Sequence, residues 1–289
     1  MSTGHADSPD VLSQRNVSEQ QHVSESADGR PRPTGGSLQR RVCLLTGASG
    51  QLGAYFCQHF VDRYDIVAVY RRNRPPVASQ DVRYFDPVAP ERPVGQNERR
   101  VFAVQADLTD ERECDRVVEL ALARYERIDV LVNGAVASVW SSMINSDHLR
   151  RSGYNQLMTN VLVPLNLAIS VARQFWQGRD EENRANNRNV VNVSSVAGLR
   201  IYAGSGQSLY AASKAALNHL TGHMANEFAP LGVRVNATAA NSFPSIVPTS
   251  RAANAIVRLD GGDENGVIVV VDGEADTDIQ LSPFFATRQ

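Results

Sequence analysis

Seven short runs of apolar residues recur along the chain after residue 40, and segments of helical length separate most of them. The runs do not alternate apolar with polar positions, which is typical of strands that are buried on both faces of a parallel sheet. This pattern predicts an α/β fold, a doubly wound, seven-stranded parallel sheet with helices on both faces. The seven predicted strands cover residues 41–46, 66–70, 101–106, 128–133, 189–194, 232–237 and 266–272.

Between the predicted strands, five segments repeat their apolar residues at the helical period. The connection between the second and third strands, residues 72 to 99, instead carries several prolines and predicts a long surface loop. The predicted helices cover residues 52–64, 110–125, 155–176, 208–229 and 250–259.

Residues 1–39 differ in composition from the rest of the chain. They are rich in Ser, Gln, Asp, Gly and Pro and hold too few apolar residues to offset the entropy cost of ordering. We therefore predict a disordered N-terminal tail followed by a single domain over residues 40–289. The tail lacks the apolar stretch of a secretory signal, and no run of roughly eighteen apolar residues occurs, so neither export nor a membrane span is expected.

Charge and cysteine content narrow the class of partner. The chain of 289 residues has a formal net charge of −2, and its arginine and acidic residues are interspersed, which argues against nucleic acid and membrane surfaces. A small molecule is the expected partner.

The three cysteines show no metal-ligand spacing, so we expect free thiols in a reducing cytoplasm and no metal site.

A glycine-rich turn follows the first predicted strand. The segment LLTGASGQLG places Gly47, Gly50 and Gly53 after an apolar run and at the start of a helix. Glycine at these positions lets the backbone turn tightly and approach a pyrophosphate, which free N–H groups at the helix N-terminus then bind. The turn predicts a dinucleotide site, although glycines that serve only helix packing would give the same spacing.

The end of the second predicted strand bears on which dinucleotide binds. A site for NAD places a carboxylate there to bind the ribose hydroxyls, whereas this chain has Arg71 and Arg72. Two guanidinium groups would bind a 2′-phosphate, so the sequence favours NADP(H) over solvated loop arginines. Asp107, after the third strand, is a candidate to bind the adenine amino group, or else an ordinary strand-end or helix-capping residue.

Lys214 is the only lysine among the 29 lysine and arginine residues. It follows Tyr210 by four positions in the segment YAASK, at the start of a predicted helix, so both side chains lie on one face. A nearby ammonium group favours the phenolate form of tyrosine and would lower its pKa. Arginine cannot replace a compact ammonium group that also contacts ribose hydroxyls, which explains a lysine in this arginine-rich chain.

These motifs, together with ADL, LVNGA, Asn160, NVSSVAG, GVRVNA and VVVDG in the same order, resemble the short-chain dehydrogenase/reductase family over residues 41 to 273. The resemblance implies a Rossmann-type fold, a nicotinamide cofactor and a homodimer or homotetramer associated through the helices that carry Asn160 and Tyr210. The resemblance and the two arginines after the second strand together give a set of expected cofactor contacts. These are Gly47, Ser49, Gly50, Gln51, Leu52, Gly53, Arg71, Arg72, Asp107, Leu108, Asn133, Gly134, Ala135, Tyr210, Lys214 and Ala240.

The resemblance also implies a catalytic set. Tyr210 is expected to be the general acid/base that protonates a carbonyl oxygen, and Lys214 to lower the pKa of Tyr210 and hold the nicotinamide ribose. Ser195 is expected to bind the substrate oxygen, with Ser194 as the competing candidate.

Asn160 is the fourth expected member of this set. Pro164 stands four residues later and has no N–H group to donate to the Asn160 carbonyl oxygen, which is therefore free to hold a water. In the family the corresponding asparagine anchors a water in a proton relay through the lysine. A helix kink with a purely structural asparagine is the alternative.

The sequence departs from the family in loops near the expected site. NGAV replaces NNAG over residues 133–136, Ala240 and Asn241 replace a Pro-Gly pair, and the segment between Ser195 and Tyr210 is slightly enlarged. The glycine turn is spaced as in the epimerase-like branch of the family.

The connection before the last predicted helix is also short. Only SFPSIVPT (242–249) stands where family members usually carry a longer helical lid, so we expect an open substrate mouth. Three aromatic residues are expected there, to contact a substrate or to pack in the core or a subunit interface: Trp140, Tyr202 and Phe243.

The main hypothesis is an NADPH-dependent oxidoreductase that reduces a ketone or an imine. Two alternatives stay open. The altered loops suggest a protein that binds NADP(H) without turnover, as a sensor or partner subunit. The glycine spacing suggests an epimerase or dehydratase that recycles its hydride.

Overall fold

A single nine-stranded sheet runs through the described part of the chain. The computed structural model describes residues 40–81, 100–144, 147–204, 206–273 and 275–281. All neighbouring strands are parallel except the last pair. The strands are β1 (Arg41–Thr46), β2 (Tyr64–Tyr70), β3 (Gln80–Asp81), β4 (Val101–Gln105), β5 (Val130–Asn133), β6 (Asn189–Ser195), β7 (Arg234–Ala240), β8 (Val267–Val271) and β9 (Asp276–Gln280), in the order β3-β4-β2-β1-β5-β6-β7-β8-β9.

The seven predicted strands are all present, and the predicted doubly wound fold is confirmed. The predicted strand count is wrong, because each edge of the sheet carries one further short strand. β3 has two residues, too few to form an apolar run. β9 pairs antiparallel with β8 and is exposed along its whole length, so it also lacks the run of buried residues on which the prediction depended.

Seven α-helices in the described residues cover the sheet: α1 (Gln51–His59), α2 (Glu111–Tyr125), α3 (Asp147–Leu157), α4 (Val163–Val171), α5 (Asp180–Ala185), α6 (Ser208–Phe228) and α7 (Thr249–Gly261). Apolar residues of α2, α4 and α6 belong to one core cluster, and those of α1 and α7 belong to another. The two clusters lie on opposite faces of the sheet, as a doubly wound fold requires.

Two predicted helices differ from the structure. The first ends at His59 rather than at residue 64, because Tyr64 begins β2 and its ring is buried. The helix predicted over residues 155–176 is interrupted by π-helical turns, one of which directly precedes the segment with Pro164, whose missing N–H breaks the helical hydrogen-bond pattern. The π-helical turns are Met158–Leu162 and Ala172–Trp176.

The predicted tail over residues 1–39 lies outside the described residues, as does most of the predicted loop, residues 82–99. No helix in the described ranges is long and apolar enough to cross a membrane.

The strand order reverses at β1, which lies between β2 and β5. The chain leaves β1 for α1 on one face of the sheet, whereas it leaves β5 for helices on the other face. Connections that diverge in this way leave a crevice at the carboxyl ends of the strands, where ligands bind in open α/β sheets.

At the amino ends of the strands, buried Asp260 joins four elements. Its carboxylate accepts hydrogen bonds from Arg41 Nε at 3.1 Å, the Tyr64 hydroxyl at 2.7 Å and Asn189 Nδ2 at 2.9 Å. Asp260 is 1% exposed, so these partners replace its hydration. The network ties α7 to β1, β2 and β6 at the end of the sheet away from the crevice.

Replacing Asp260 with Ala should lower the free energy of unfolding by about 3–5 kcal/mol, because the partners of a buried charge are left unpaired. Urea denaturation measures the change. The matched control is Asp62→Ala, which removes an ion pair with Arg100 from a side chain that is 93% exposed and should change stability little. Equal losses in the two variants would contradict the role given to Asp260.

Candidate active site

The glycine turn between β1 and α1 packs against the end of β5. Gly47 has a φ of +71°, and a Cβ atom there would lie 2.6 Å from the Gly134 carbonyl oxygen. A Cβ atom on Gly53 would lie 2.4 Å from the Gly47 carbonyl oxygen. Both positions therefore require glycine. Within the described structure no side chain caps α1, which begins after Gly50, so its first N–H groups are available to a ligand.

Thr46 holds this turn and the end of β5 together. Its hydroxyl oxygen accepts hydrogen bonds from the backbone N–H groups of Gly134 and Ala135, each at 3.0 Å. Thr46 cannot be identified as a site residue from the sequence, because only the pairing of β1 with β5 brings it to these loops.

Two cavities meet at the glycine turn. The smaller has a volume of about 330 Å³ and the larger about 540 Å³. Gly47, Gly50, Gly134 and Val136 line both, so the cavities adjoin where α1 begins. A pair of cavities on either side of a helix N-terminus fits the two halves of a dinucleotide and its pyrophosphate. The two glycines that exclude a Cβ atom provide the close backbone approach that such a ligand needs.

The smaller cavity contains both predicted arginines. Arg71 and Arg72 follow β2, are exposed and line this cavity with Asp107. Neither guanidinium group forms an ion pair with another residue of the described ranges. Asp107 Oδ1 accepts hydrogen bonds from the Thr109 N–H and hydroxyl groups at 3.2 and 2.8 Å. Asp110 rather than Asp107 caps α2, so the second oxygen of Asp107 is available to a ligand.

All but one of the residues predicted to contact a cofactor line these cavities. The exception is Asn133, which is buried behind the cavity wall because its Nδ2 donates to Asn192 Oδ1 at 2.9 Å. Asn192 Nδ2 in turn donates to the Thr221 hydroxyl at 3.0 Å, which joins β5, β6 and α6. Ser49, Leu108 and Ala135 line the smaller cavity, and Gln51, Leu52, Gly53 and Ala240 line the larger.

Tyr210, Lys214 and Ser195 line the larger cavity together. Tyr210 and Lys214 lie one turn apart near the start of α6, and Ser195 ends β6. The Ser195 hydroxyl group lies close enough to the Tyr210 hydroxyl group to lower the pKa of that tyrosine. Ser194 instead donates its hydroxyl to the Lys214 carbonyl oxygen at 3.3 Å. The geometry therefore favours Ser195 over Ser194 as the serine that faces a ligand beside Tyr210.

The Lys214 ammonium group is buried in the wall of this cavity. Its Nζ donates a hydrogen bond to the Val193 carbonyl oxygen at 2.7 Å and lies 5.9 Å from the centre of the Tyr210 ring. Burial lowers the pKa of Lys214 to about 8, because the charged form loses hydration. The ammonium form therefore predominates at pH 7 and is lost as the pH rises through about 8.

The structure contradicts the predicted effect of Lys214 on Tyr210. Burial raises the pKa of Tyr210 above its ordinary value, and the nearby Ser195 hydroxyl group offsets this only in part. The ammonium group is directed to the Val193 carbonyl oxygen and does not compensate for the lost hydration of the phenolate. Tyr210 therefore keeps its proton at neutral pH, which is the form a general acid needs.

Asn160 lies in the first π-helical turn and is fully buried. Its Oδ1 accepts from the Ala137 N–H at 2.8 Å, and its Nδ2 donates to the Ala137 carbonyl oxygen and the Ser213 hydroxyl, both at 2.9 Å. The side chain lines neither cavity and instead holds the loop after β5 against α6, next to Lys214. The water on its backbone carbonyl oxygen stays a prediction.

The expected substrate mouth opens between the loops that follow β5, β6 and β7. Residues 241–248 contain no helix, and α7 begins directly after them. The mouth is partly open, since Trp140 is 56% exposed and Tyr202 is 40% exposed. Its lining includes all three aromatic residues identified in the sequence: Trp140, Tyr202 and Phe243.

Asp272, which the sequence analysis did not single out, joins two of these loops to the end of β8. Its carboxylate accepts hydrogen bonds from Asn241 Nδ2 at 2.9 Å and from an Arg200 terminal nitrogen at 2.5 Å. The contact between these loops depends on the order of the strands, which the sequence pattern does not specify.

Two relatives resemble this chain over most of its folded residues. It is 31% identical over 230 residues to the short-chain reductase protein NovJ of Streptomyces niveus, covering 80% of this chain and 78% of NovJ. It is 28% identical over 204 residues to the oxidoreductase YuxG of Bacillus subtilis. That match covers 71% of this chain but 27% of YuxG, so the chain spans about a quarter of that relative's length.

The fold and a family model lead to the same assignment. A crystal structure of a short chain dehydrogenase from Mycobacterium smegmatis matches with a TM-score of 0.65 and 25% identity, covering 85% of this chain and 98% of that one. The family model described as short chain dehydrogenase matches residues 41–255, which include the glycine turn and the whole of α6. The chain therefore belongs to the short-chain dehydrogenase family of oxidoreductases.

Proposed function

We propose that this protein is an NADPH-dependent reductase that reduces the carbonyl group of a ketone, or an imine, by hydride transfer with Tyr210 as general acid. The observation that carries the proposal is the shared lining of one cavity. Tyr210, Ser195 and Lys214 face the same volume of about 540 Å³ as the glycine turn. A nicotinamide bound in this cavity would lie beside the hydroxyl groups of Tyr210 and Ser195.

A bound NADPH supplies the hydride. The chain supplies the proton, since Tyr210 keeps its hydroxyl proton at neutral pH and would donate it to the substrate oxygen as charge develops there. Ser195 would donate a hydrogen bond to the same oxygen, because its hydroxyl already lies at the Tyr210 hydroxyl. The positive charge of Lys214, 5.9 Å from the centre of the Tyr210 ring, would offset part of the charge on the phenolate left behind, but not enough to outweigh the effect of burial.

Lys214 would also bind the cofactor. An ammonium group has three N–H donors, and one of them is used by the Val193 carbonyl oxygen. The remaining donors would hold the nicotinamide ribose hydroxyls. The first N–H groups of α1, at Gln51 and Leu52, would bind the pyrophosphate.

The preference for NADPH rests on charge in the smaller cavity. Arg71 and Arg72 line it without ion-pair partners in the described ranges, and a 2′-phosphate would pair with both. The one carboxylate in the lining, Asp107, already accepts two hydrogen bonds from Thr109.

We also propose that the reductase works as a homodimer or homotetramer in the cytoplasm, on a small-molecule substrate. The helical run that carries Asn160 exposes apolar side chains, which supports association through this run. All three cysteines are unpaired and buried, which supports a reducing compartment. The exposed apolar residues are Tyr154, Leu157 and Leu162.

Replacing Tyr210 with Phe should lower kcat/KM for NADPH-dependent reduction of neutral ketones about 10²–10⁴-fold, because the proton donor is lost. NADPH absorbance measures the rate. Tyr125→Phe is the control, since Tyr125 is the last residue of α2 and lines neither cavity. Nearly unchanged turnover in Tyr210→Phe would contradict the mechanism, and NADPH binding without any oxidation in the unmodified protein would favour the binding-only alternative.

Replacing Arg71 and Arg72 together with Ala should raise the KM for NADPH about 10- to 100-fold and leave the KM for NADH nearly unchanged. Each lost charge-assisted hydrogen bond to a phosphate contributes about 1.5–3 kcal/mol in a favourable site, and exposure reduces this. Arg63→Ala, an exposed arginine that directly precedes β2 and lines neither cavity, is the control. Equal changes for the two cofactors would refute the 2′-phosphate assignment.

The pH dependence should identify Lys214. Because burial lowers its pKa to about 8, kcat/KM for NADPH should be level below that pH and fall above it as the free enzyme loses the ammonium charge. In Lys214→Arg the guanidinium group stays protonated, so the fall should disappear although kcat/KM is lower at every pH. A fall at the same pH in both proteins would show that another group titrates.

A further inference from the structure

A second apolar volume adjoins the candidate active site. This side groove has a volume of about 700 Å³ and lies between the loop after β5 and the start of α6. It shares Ala197, Tyr202 and Gln207 with the cavity that contains Tyr210, so the two volumes adjoin at these residues. Its principal lining residues are Met143, Leu199, Ile201, Tyr202, Ala211 and Ala215.

The lining of the side groove combines exposed apolar side chains with uncharged polar ones such as Ser141, Ser142 and Gln207. Ile201 is fully exposed and Met143 is 69% exposed, although water contact with such side chains is unfavourable. The one charged residue in the lining is Arg200, and its guanidinium group forms an ion pair with Asp272. Within the described ranges the groove therefore offers no unpaired charge to a ligand.

The walls of the side groove are joined to each other and to the catalytic helix. The Ser141 N–H donates to the Gly206 carbonyl oxygen at 2.9 Å, and a Cβ atom on Gly206 would lie 3.2 Å from the Ser141 carbonyl carbon. A Cβ atom on Gly198 would lie 2.7 Å from the Lys214 carbonyl carbon. Because both contacts are between backbones, they hold the walls of the groove close to each other and to α6.

We propose that the side groove binds the apolar tail of the substrate, so that the substrate is a neutral carbonyl compound with an alkyl or aryl chain. The proposal rests on the reductase function proposed above, because it places the carbonyl group at Tyr210 and the chain past Tyr202 over Ile201 and Met143. A tail that ends in a carboxylate would lose hydration without finding an unpaired cation in the groove.

Straight-chain methyl ketones of increasing length test the proposal, with matching ketones that end in a carboxylate for comparison. In the unmodified protein kcat/KM should rise about threefold to fourfold for each added methylene until the groove is filled, the factor expected for burying one methylene. The carboxylate series should not show this rise. Ile201→Ser should reduce the rise per methylene, and Met143→Ser serves as a second groove variant. Ile279→Ser, a partly exposed isoleucine on β9, is the control and should keep the full rise.

A binding measurement separates this proposal from the proposed function. Of the two tryptophans, Trp140 lines the mouth and Trp176 is buried in the core, so ketone binding should change the fluorescence of Trp140, and Trp140→Phe should remove the change. If the affinity for ketones rises with chain length but NADPH is not oxidised, the result would support the side-groove proposal and contradict the proposed reductase function. Turnover or binding that is independent of chain length, or unchanged chain-length dependence in both groove variants, would overturn the groove proposal.

Discussion

Helix α6 meets the carboxyl end of β6 through contacts that leave its first two turns little freedom. Lys214 Nζ donates to the Val193 carbonyl oxygen at 2.7 Å, and the Lys214 backbone is too close to Gly198 for any side chain at that position. A buried ammonium group is costly unless it is hydrogen-bonded. Because the Val193 carbonyl oxygen is the acceptor, this hydrogen bond restricts the rotation of α6 about its own axis. That rotation brings Tyr210, one turn earlier, to the hydroxyl group of Ser195.

A comparable constraint acts on the other side of the crevice. Backbone contact between Gly47 and Gly134, reinforced by the Thr46 hydroxyl, holds the β1 and β5 loops together below both cavities. The charges differ between the two sides, because Arg71 and Arg72 are exposed whereas Lys214 is buried. Exposed arginines can select an anionic cofactor without a large desolvation cost, and a buried lysine can respond to the protonation of a neighbouring group.

The sequence was sufficient to predict the parts of the site that depend on local spacing. The glycine turn, the two arginines and the pair formed by Tyr210 and Lys214 each lie within a single segment, and a strand or helix of known period sets their relative positions. The edge strands β3 and β9 escaped prediction because neither contains a buried apolar run.

Features that depend on packing between distant segments could not be predicted in this way. Thr46 and Asp272 act on loops that only the strand order brings to them. Asn160 fell on the predicted helix, yet its side chain serves loop positioning because the π-helical turn directs it to Ala137. The pKa of Tyr210 changes in the direction opposite to the prediction, since burial is a property of the folded chain and outweighs the charge one turn away.

A crystal structure of the protein with bound NADP⁺ is the most direct test of the proposed site. We predict that the nicotinamide ribose contacts Lys214 and Tyr210, that the pyrophosphate lies on the glycine turn and that the 2′-phosphate contacts Arg71 or Arg72. A dinucleotide bound elsewhere, or with its nicotinamide away from the hydroxyl groups of Tyr210 and Ser195, would contradict it.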